Sequence, residues 1–334
     1  MEGERIFLDS AIIVDGKFTL KGAVEEPVYC HLIVPEINPE TGKTSNIFDA
    51  PLILENAKIK LTADAEGKSK VTGTENNEIL QTYMDADAVL GQKQDDALQA
   101  ARDAKAAGDG ELAESFGEEQ QKYSKERREL RIEFVKNNIN NPAGRSQFFH
   151  NKLGSLLGLP LEQLKELIAD ANEATLQNPL LLRVAERIQA LEKTAIGQYF
   201  TDIRMPNVNG KEIALSDYAG KGKYVLLDFW ATWCSPCRAE MPHVLAVYKK
   251  YKNKGFEVVG VSLDAKHDAW LKGIKDLGLT WPQMSDLKGW SCEGAKLYAV
   301  HGIPHTVLID PNGIIIAHNL RGKKLEEKLA ELIK

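Results

Sequence analysis

The stretch LLDFWATWCSPCRAEMP, residues 226–242, decides how the chain is read. It holds two of the four cysteines, Cys234 and Cys237, with only Ser235 and Pro236 between them. Two thiols so close can clip a fold, hold a metal or exchange electrons. A zinc site needs about four ligands, usually a second close pair of Cys or His, and Cys30 and Cys292 each stand alone in sequence. A clip between Cys234 and Cys237 closes a loop too short to restrain much of the unfolded chain. Exchange fits better. The unbroken apolar run YVLLDFW (224–230) reads as a buried strand, the pair follows at once, and PCRAEMPHVLAVYKKYKNKG reads as a helix with Pro236 in its first turn. Cys234 then lies where helix N–H groups and the positive dipole end favour a thiolate. Cys237, one turn on, is placed to resolve a mixed disulfide.

Outward from this motif, 196–334 alternates strands and helices. FEVVGVSLD (256–264) reads as a strand, HDAWLKGIKDLG as a helix, and HTVLIDPNGIIIAH (305–318) as two strands turning at Pro311, Asn312 and Gly313. KKLEEKLAELIK closes the chain as a helix with Leu325, Leu329, Leu332 and Ile333 on one face. This is an α/β domain of ordinary size. From about 77 to 193 the chain turns helical, rich in Ala, Glu, Lys, Gln and Arg. Gly108 and Gly110 mark a turn, and Pro142, Pro160 and Pro179 each precede a helical pattern. The charged run 95–137 reads as a solvated helical hairpin. Residues 1–76 carry short alternating runs broken by turn signals: GKFTLKG (16–22), VYCHLIV (28–34), PLILENAKIKLTA (51–63) and KVTGT (70–74) read as antiparallel strands of a small β-sandwich or curled sheet. The expected organisation is thus a β-sandwich-like N-terminal domain (1–76), a helical middle region (77–193) and an α/β domain (196–334).

The whole chain, at 334 residues, is long enough for two or three domains. An apolar share of 43% supports real cores, and a net charge of −6 disfavours nucleic acid or an anionic membrane as the main partner. No apolar run reaches 18 residues, so no membrane span is expected. The start, MEGERIFLDS, is charged and lacks the apolar core of a signal peptide; either the protein is cytosolic or a leader ahead of Met1 has been removed. Four cysteines do not make a disulfide framework.

DFWATWCSPC resembles the signature of the thioredoxin-like superfamily, and CRAEMP with VVGVSLD narrows the resemblance to the envelope thiol–disulfide oxidoreductases of the TlpA and ResA kind. It covers 196–334. In front, DGKFTLKGAVEEP, LILENAKIKLTAD and VTGTENNE look like the β-rich domain of unknown role that precedes such modules in bacterial envelope proteins. The resemblance implies a thioredoxin-like fold, with Cys234 as attacking and Cys237 as resolving thiol. Asp228 matches the acid buried beneath the pair, where desolvation raises its pKa and lets it move the Cys237 proton; the plain alternative is a strand-end residue with local bonds. The lysine that accompanies this acid in small thioredoxins is replaced by Gly260. Pro242 matches a helix-kinking proline. Pro304 matches the cis-proline whose loop, with Ile303, pairs with a substrate strand. His305, after it, either tunes the thiolate or merely starts a strand. Trp233 is expected on the docking surface and Trp230 in packing. The insertion 262–286 adds a helix and a strand, as in the TlpA kind. Cys292 reads as a buried unreactive thiol or a third redox thiol, and Cys30 as a small apolar packing residue.

The resulting expectation is an enzyme, a thiol–disulfide oxidoreductase acting as a reductase, with catalytic Cys234, Cys237 and Asp228 and substrate-binding Trp233, Ile303 and Pro304. No metal, flavin or nucleotide cofactor is implied, since no G-x-G-x-x-G follows a strand. Partners are protein disulfides or dithiols and an upstream redox donor. The resemblance places the mature protein in a bacterial periplasm, anchored, if at all, by an N-terminal segment absent from this chain. Two rivals stay open: a thiol peroxidase on the same fold, and an envelope protein whose β-domain docks a partner while the redox module is secondary.

Overall fold

The computed structural model describes residues 7–37, 44–64, 67–150 and 158–333. The chain divides into two compact units, 1–153 with 166–176, and 154–165 with 177–334.

The first unit holds two antiparallel ribbons and a helical hairpin. Strands β1 (Val28–Ile37) and β2 (Thr44–Leu54) pair with a register shift between Val34 and Pro35. Strands β3 (Lys60–Ala63) and β4 (Ser69–Thr72) form the second ribbon. The run 51–63 is therefore split, and β2 and β3 are separated by a turn. The expected strand at 16–22 is absent: only an isolated bridge joins Val14 and Lys17. Alternation gives a strand only where a sheet covers the apolar face, and Leu20 stays 43% exposed. Helix α1 (Glu75–Ala106) is capped by the Thr74 hydroxyl. The buried Asn77 amide bonds both the N–H and the C=O of Ile53, tying α1 to β2. Helix α2 (Gly110–Asn137) starts at an Asp109 cap and lies along α1 as the expected hairpin, with the Arg127 guanidinium on both carboxylate oxygens of Asp87 at 2.9 and 2.6 Å. Helix α3 (Pro142–His150) follows in this unit, with Ile53, Leu80 and Ala143 packed together.

Helices α4 (Leu161–Ile168) and α5 (Glu173–Leu176) follow, then α6 (Pro179–Lys193), which belongs to the second unit. After a ribbon of β5 (Arg204–Pro206) and β6 (Glu212–Ala214), the chain builds β7 (Tyr224–Trp230), α7 (Ser235–Tyr251), β8 (Phe256–Ser262), α8 (His267–Leu277), β9 (Gln283–Met284), α9 (Glu293–Leu297), β10 (His305–Ile309), β11 (Ile315–His318) and α10 (Gly322–Leu332). The five-stranded sheet has the order β11-β10-β7-β8-β9. Strands β7, β8 and β9 run parallel and β10 returns antiparallel to β7. Central β7 is buried along all but its first residue, as its apolar run requires. The α/β thioredoxin-like module, the helical middle and the β-rich start are all present. Among the described residues, no helix is long and apolar enough to cross a membrane.

Candidate active site

The redox pair lies at the end of β7, where the chain turns from strand to helix. Cys234 is the N-cap of α7: its sulfur accepts the Cys237 N–H at 3.1 Å, and its carbonyl accepts the Arg238 N–H. The position thus offers the sulfur a helix-terminal N–H and the positive end of a 17-residue helix. The two sulfurs are bonded, with a Cα–Cα distance of 5.3 Å. Cys234 is 5% exposed and Cys237 fully buried. Pro236 is in the first helical turn and Pro242 inside the helix.

The loop carrying Cys234 is held from the neighbouring strand. The buried Asp264 carboxylate accepts the Thr232 hydroxyl at 2.5 Å and the Thr232 N–H at 3.1 Å, and it accepts the Ser262 hydroxyl at 2.8 Å. Across from it stands the cis Ile303–Pro304 bond, with the Ile303 carbonyl oxygen 3.6 Å from the Cys234 sulfur. In the dithiol form that carbonyl can accept the thiol proton.

Two arginines fix this loop. Arg321 donates to the Pro304 carbonyl. Arg187, on α6, donates to the Ala299 carbonyl and contacts His301 Nδ1 at 2.9 Å. Ala299 has a φ of +50°, a conformation a residue with Cβ adopts only under constraint. Sequence reasoning missed Arg187, Arg321, Asp264 and Glu240.

Asp228 lies in mid-sheet, buried, with Thr306 opposite on β10 and Gly260 opposite on β8. Its Oδ2 has no hydrogen-bond partner. Burial, then the Glu240 carboxylate, push its pKa up to about 7 against a pull down from Arg321. Glu240 lies one turn beyond Cys237 and accepts the Gly322 N–H at 2.6 Å. A side chain at Gly260 would require the Gln283 side chain to move, because an added Cβ would come within 2.3 Å of it, and Gln283 accepts the Trp230 indole N–H.

The remaining motif residues separate clearly. Trp230 is buried in the core and Trp233 exposed beside Cys234. His305 rests against Phe229 and His318, its pKa pushed down to about 3 first by burial and then by His318, His301, Arg321 and Arg187 around it. Cys292 is buried, and burial pushes its thiol up to about 11, so it stays protonated. Cys30 is half-buried. Among the described residues no group of three or more His, Cys, Asp or Glu could hold a metal, His301 and His305 included.

Residues 196–318 match the AhpC/TSA family, and residues 2–80 match a domain of unknown function, DUF4369. The chain is 37% identical over 143 residues to thiol-disulfide oxidoreductase ResA of Bacillus thuringiensis subsp. konkukian, covering 43% of this chain and 79% of that protein. It is 39% identical over 124 residues to ResA of Geobacillus kaustophilus, covering 36% and 68%. Among solved structures it resembles the thioredoxin domain of a thiol-disulfide oxidoreductase from Bacteroides vulgatus, at 36% identity and a TM-score of 0.39, covering 42% of this chain and 99% of that one.

Proposed function

Since this chain belongs to the ResA-like thiol-disulfide oxidoreductases, we propose that it works as a reductase of protein disulfides in a bacterial periplasm. The observation that carries this reading is the unequal placement of the two sulfurs: Cys234 at the helix cap facing the cis-proline loop, Cys237 enclosed behind it.

In the dithiol form the Cys234 thiolate attacks a substrate sulfur. One substrate S–S bond breaks, a Cys234–substrate S–S bond forms, and the first substrate thiolate leaves and takes up a proton. Cys237 then gives its proton to the Asp228 carboxylate and attacks Cys234 Sγ. The mixed disulfide breaks, the Cys234–Cys237 bond forms, and the second substrate thiolate leaves and takes up the proton that Asp228 received, which restores the carboxylate. Two electrons and two protons pass to the substrate. An upstream dithiol returns them by the reverse exchange. The Ile303–Pro304 backbone holds the substrate strand across the pair, and Trp233 lines its path.

The reduction potential of the Cys234–Cys237 pair tests direction. A value below about −200 mV supports a reductase, and one near −120 mV, the range of strong oxidants, overturns that part. Rates with an insulin-like disulfide against hydrogen peroxide test the reaction itself. Faster turnover of peroxide would favour a peroxidase.

A further inference from the structure

Of the five tryptophans, Trp230, Trp270 and Trp281 are buried. The other two, Trp233 and Trp290, are 53% and 50% exposed, and they are the two that meet: their ring centroids lie 6.0 Å apart with planes at 53°. Indoles left half in water are costly surface, and here they meet at Trp233, the residue next to Cys234 in sequence.

Both are held in place. Trp290 lies in a single 3-10 turn, Gly289–Ser291, ahead of the buried Cys292. The Asp286 carboxylate accepts the N–H groups of Lys288 and Glu293 at 3.1 and 2.9 Å, closing the loop on both sides of Trp290. Ser285 donates its hydroxyl to the Ser262 carbonyl at 2.9 Å. Ser262 in turn donates its own hydroxyl to Asp264, which holds Thr232 next to Trp233. One residue at the end of β8 therefore anchors both tryptophan-bearing loops. Their mutual placement is set before any partner arrives, which lowers the ordering cost of binding.

We propose that Trp290 and Trp233 together form a docking face for an apolar or aromatic side chain flanking the substrate cysteine that Cys234 attacks, so that Trp290 is a specificity-determining residue for polypeptide disulfides. This rests on the reading of the substrate as a protein disulfide. The occupant follows from the site. The attacked sulfur must reach Cys234, whose sequence neighbour is Trp233, and an extended chain advances about 3.3 Å per residue. A side chain one or two residues from the substrate cysteine then spans the two indoles. Such flanks are buried in folded proteins, so the face selects extended or unfolded segments. A small disulfide would leave the Trp290 half uncovered.

The test uses the full chain in its dithiol form and two disulfide-linked peptides differing only in a Phe or Ser beside the cysteine, with oxidised glutathione as the small disulfide. The wild type is expected to prefer the Phe peptide by about tenfold in kcat/KM, mainly through KM. Trp290→Ala should bring that ratio close to one, and Trp290→Phe should restore most of it. An equal rate on both peptides by the wild type, or a preference that survives Trp290→Ala, overturns the docking face while leaving the protein-disulfide reading intact. Turnover of glutathione but of neither peptide overturns both.

Discussion

The guanidinium of Arg187 is hydrogen-bonded to the carbonyl oxygen of Ala299, in the loop that leads into cis-Pro304. A residue of the helix ahead of the redox module thus braces the loop that faces Cys234. Burial lowers the Arg187 pKa, and its Nε has no partner, so the cation is kept there at a cost. Arg187→Gln should preserve the fold and lower kcat/KM about tenfold, chiefly through KM, because loop misplacement weakens substrate alignment. For the same reason a 177–334 fragment should outperform a 196–334 fragment, although both contain every cysteine-motif residue. Equal activity of the two fragments would show that the brace is dispensable.

Asp228 carries a pH signature. Its pKa rises from 3.8 in the unfolded chain to about 7 in the folded one, with burial as the main cause. The folded state therefore holds this proton more tightly. The associated stability is complete below pH 3.8 and is lost as the pH rises through about 7. Asp228→Asn, which removes the charge, should gain stability relative to the parent as the pH rises, from about 2 kcal/mol near pH 5 towards about 4 kcal/mol above pH 7, as an order of magnitude from the shift in pKa. Turnover should move the other way: if the carboxylate takes the Cys237 proton, the parent speeds up as the pH passes about 7, and the variant is slower with no such rise. Rates that match the parent from pH 6 to 9 would leave Asp228 a structural residue.

Glu240 offers a way to shift that profile without touching Asp228. Its carboxylate is one of the causes raising the Asp228 pKa, and its oxygen accepts the Gly322 N–H. Glu240→Gln keeps an acceptor oxygen and removes the charge. The midpoint of the pH–rate rise should therefore move to lower pH. A midpoint that stays put, or moves up, would show that the two carboxylates are not coupled in the reacting enzyme.

The contrast between what was legible and what was not has a physical basis. Cys234 and Cys237 could be singled out from the motif alone, whereas Asp228 and Pro304 were expected only through the resemblance that the motif carries. Arg187, Arg321 and Asp264 could be read neither way, because they act on backbone groups or hydroxyls far away in sequence, and nothing local distinguishes them from any surface Arg or Asp. Gly260 was legible as a departure, but its surroundings were not: an added Cβ there would meet Gln283, on a strand that joins the sheet edge much later in the chain. At 16–22 the period-2 pattern was real, yet periodicity reports a face and not the partner that must cover it. Trp290 carried no signal in sequence, since only the ring contact with Trp233 distinguishes it from a packing residue.

The order of attack follows from the two sulfurs' surroundings. Cys234 receives the Cys237 N–H at the helix cap and reaches solvent slightly, whereas Cys237 is fully enclosed. The helix terminus stabilises a thiolate at Cys234, and burial disfavours one at Cys237. A substrate disulfide should therefore be attacked by Cys234 first and the complex released by Cys237. Cys237→Ser keeps the volume but cannot displace sulfur, so the mixed disulfide should accumulate and be seen on a non-reducing gel. Cys234→Ser should accumulate at least about tenfold less, since thiol attack depends on access and on thiolate fraction. Alkylation of the reduced protein should follow the same order, with Cys234 reacting below the ordinary thiol pKa of about 8.5. Equal trapping by the two variants, or faster alkylation of Cys237, would reverse the assignment of attacking and resolving sulfur while leaving the exchange chemistry in place.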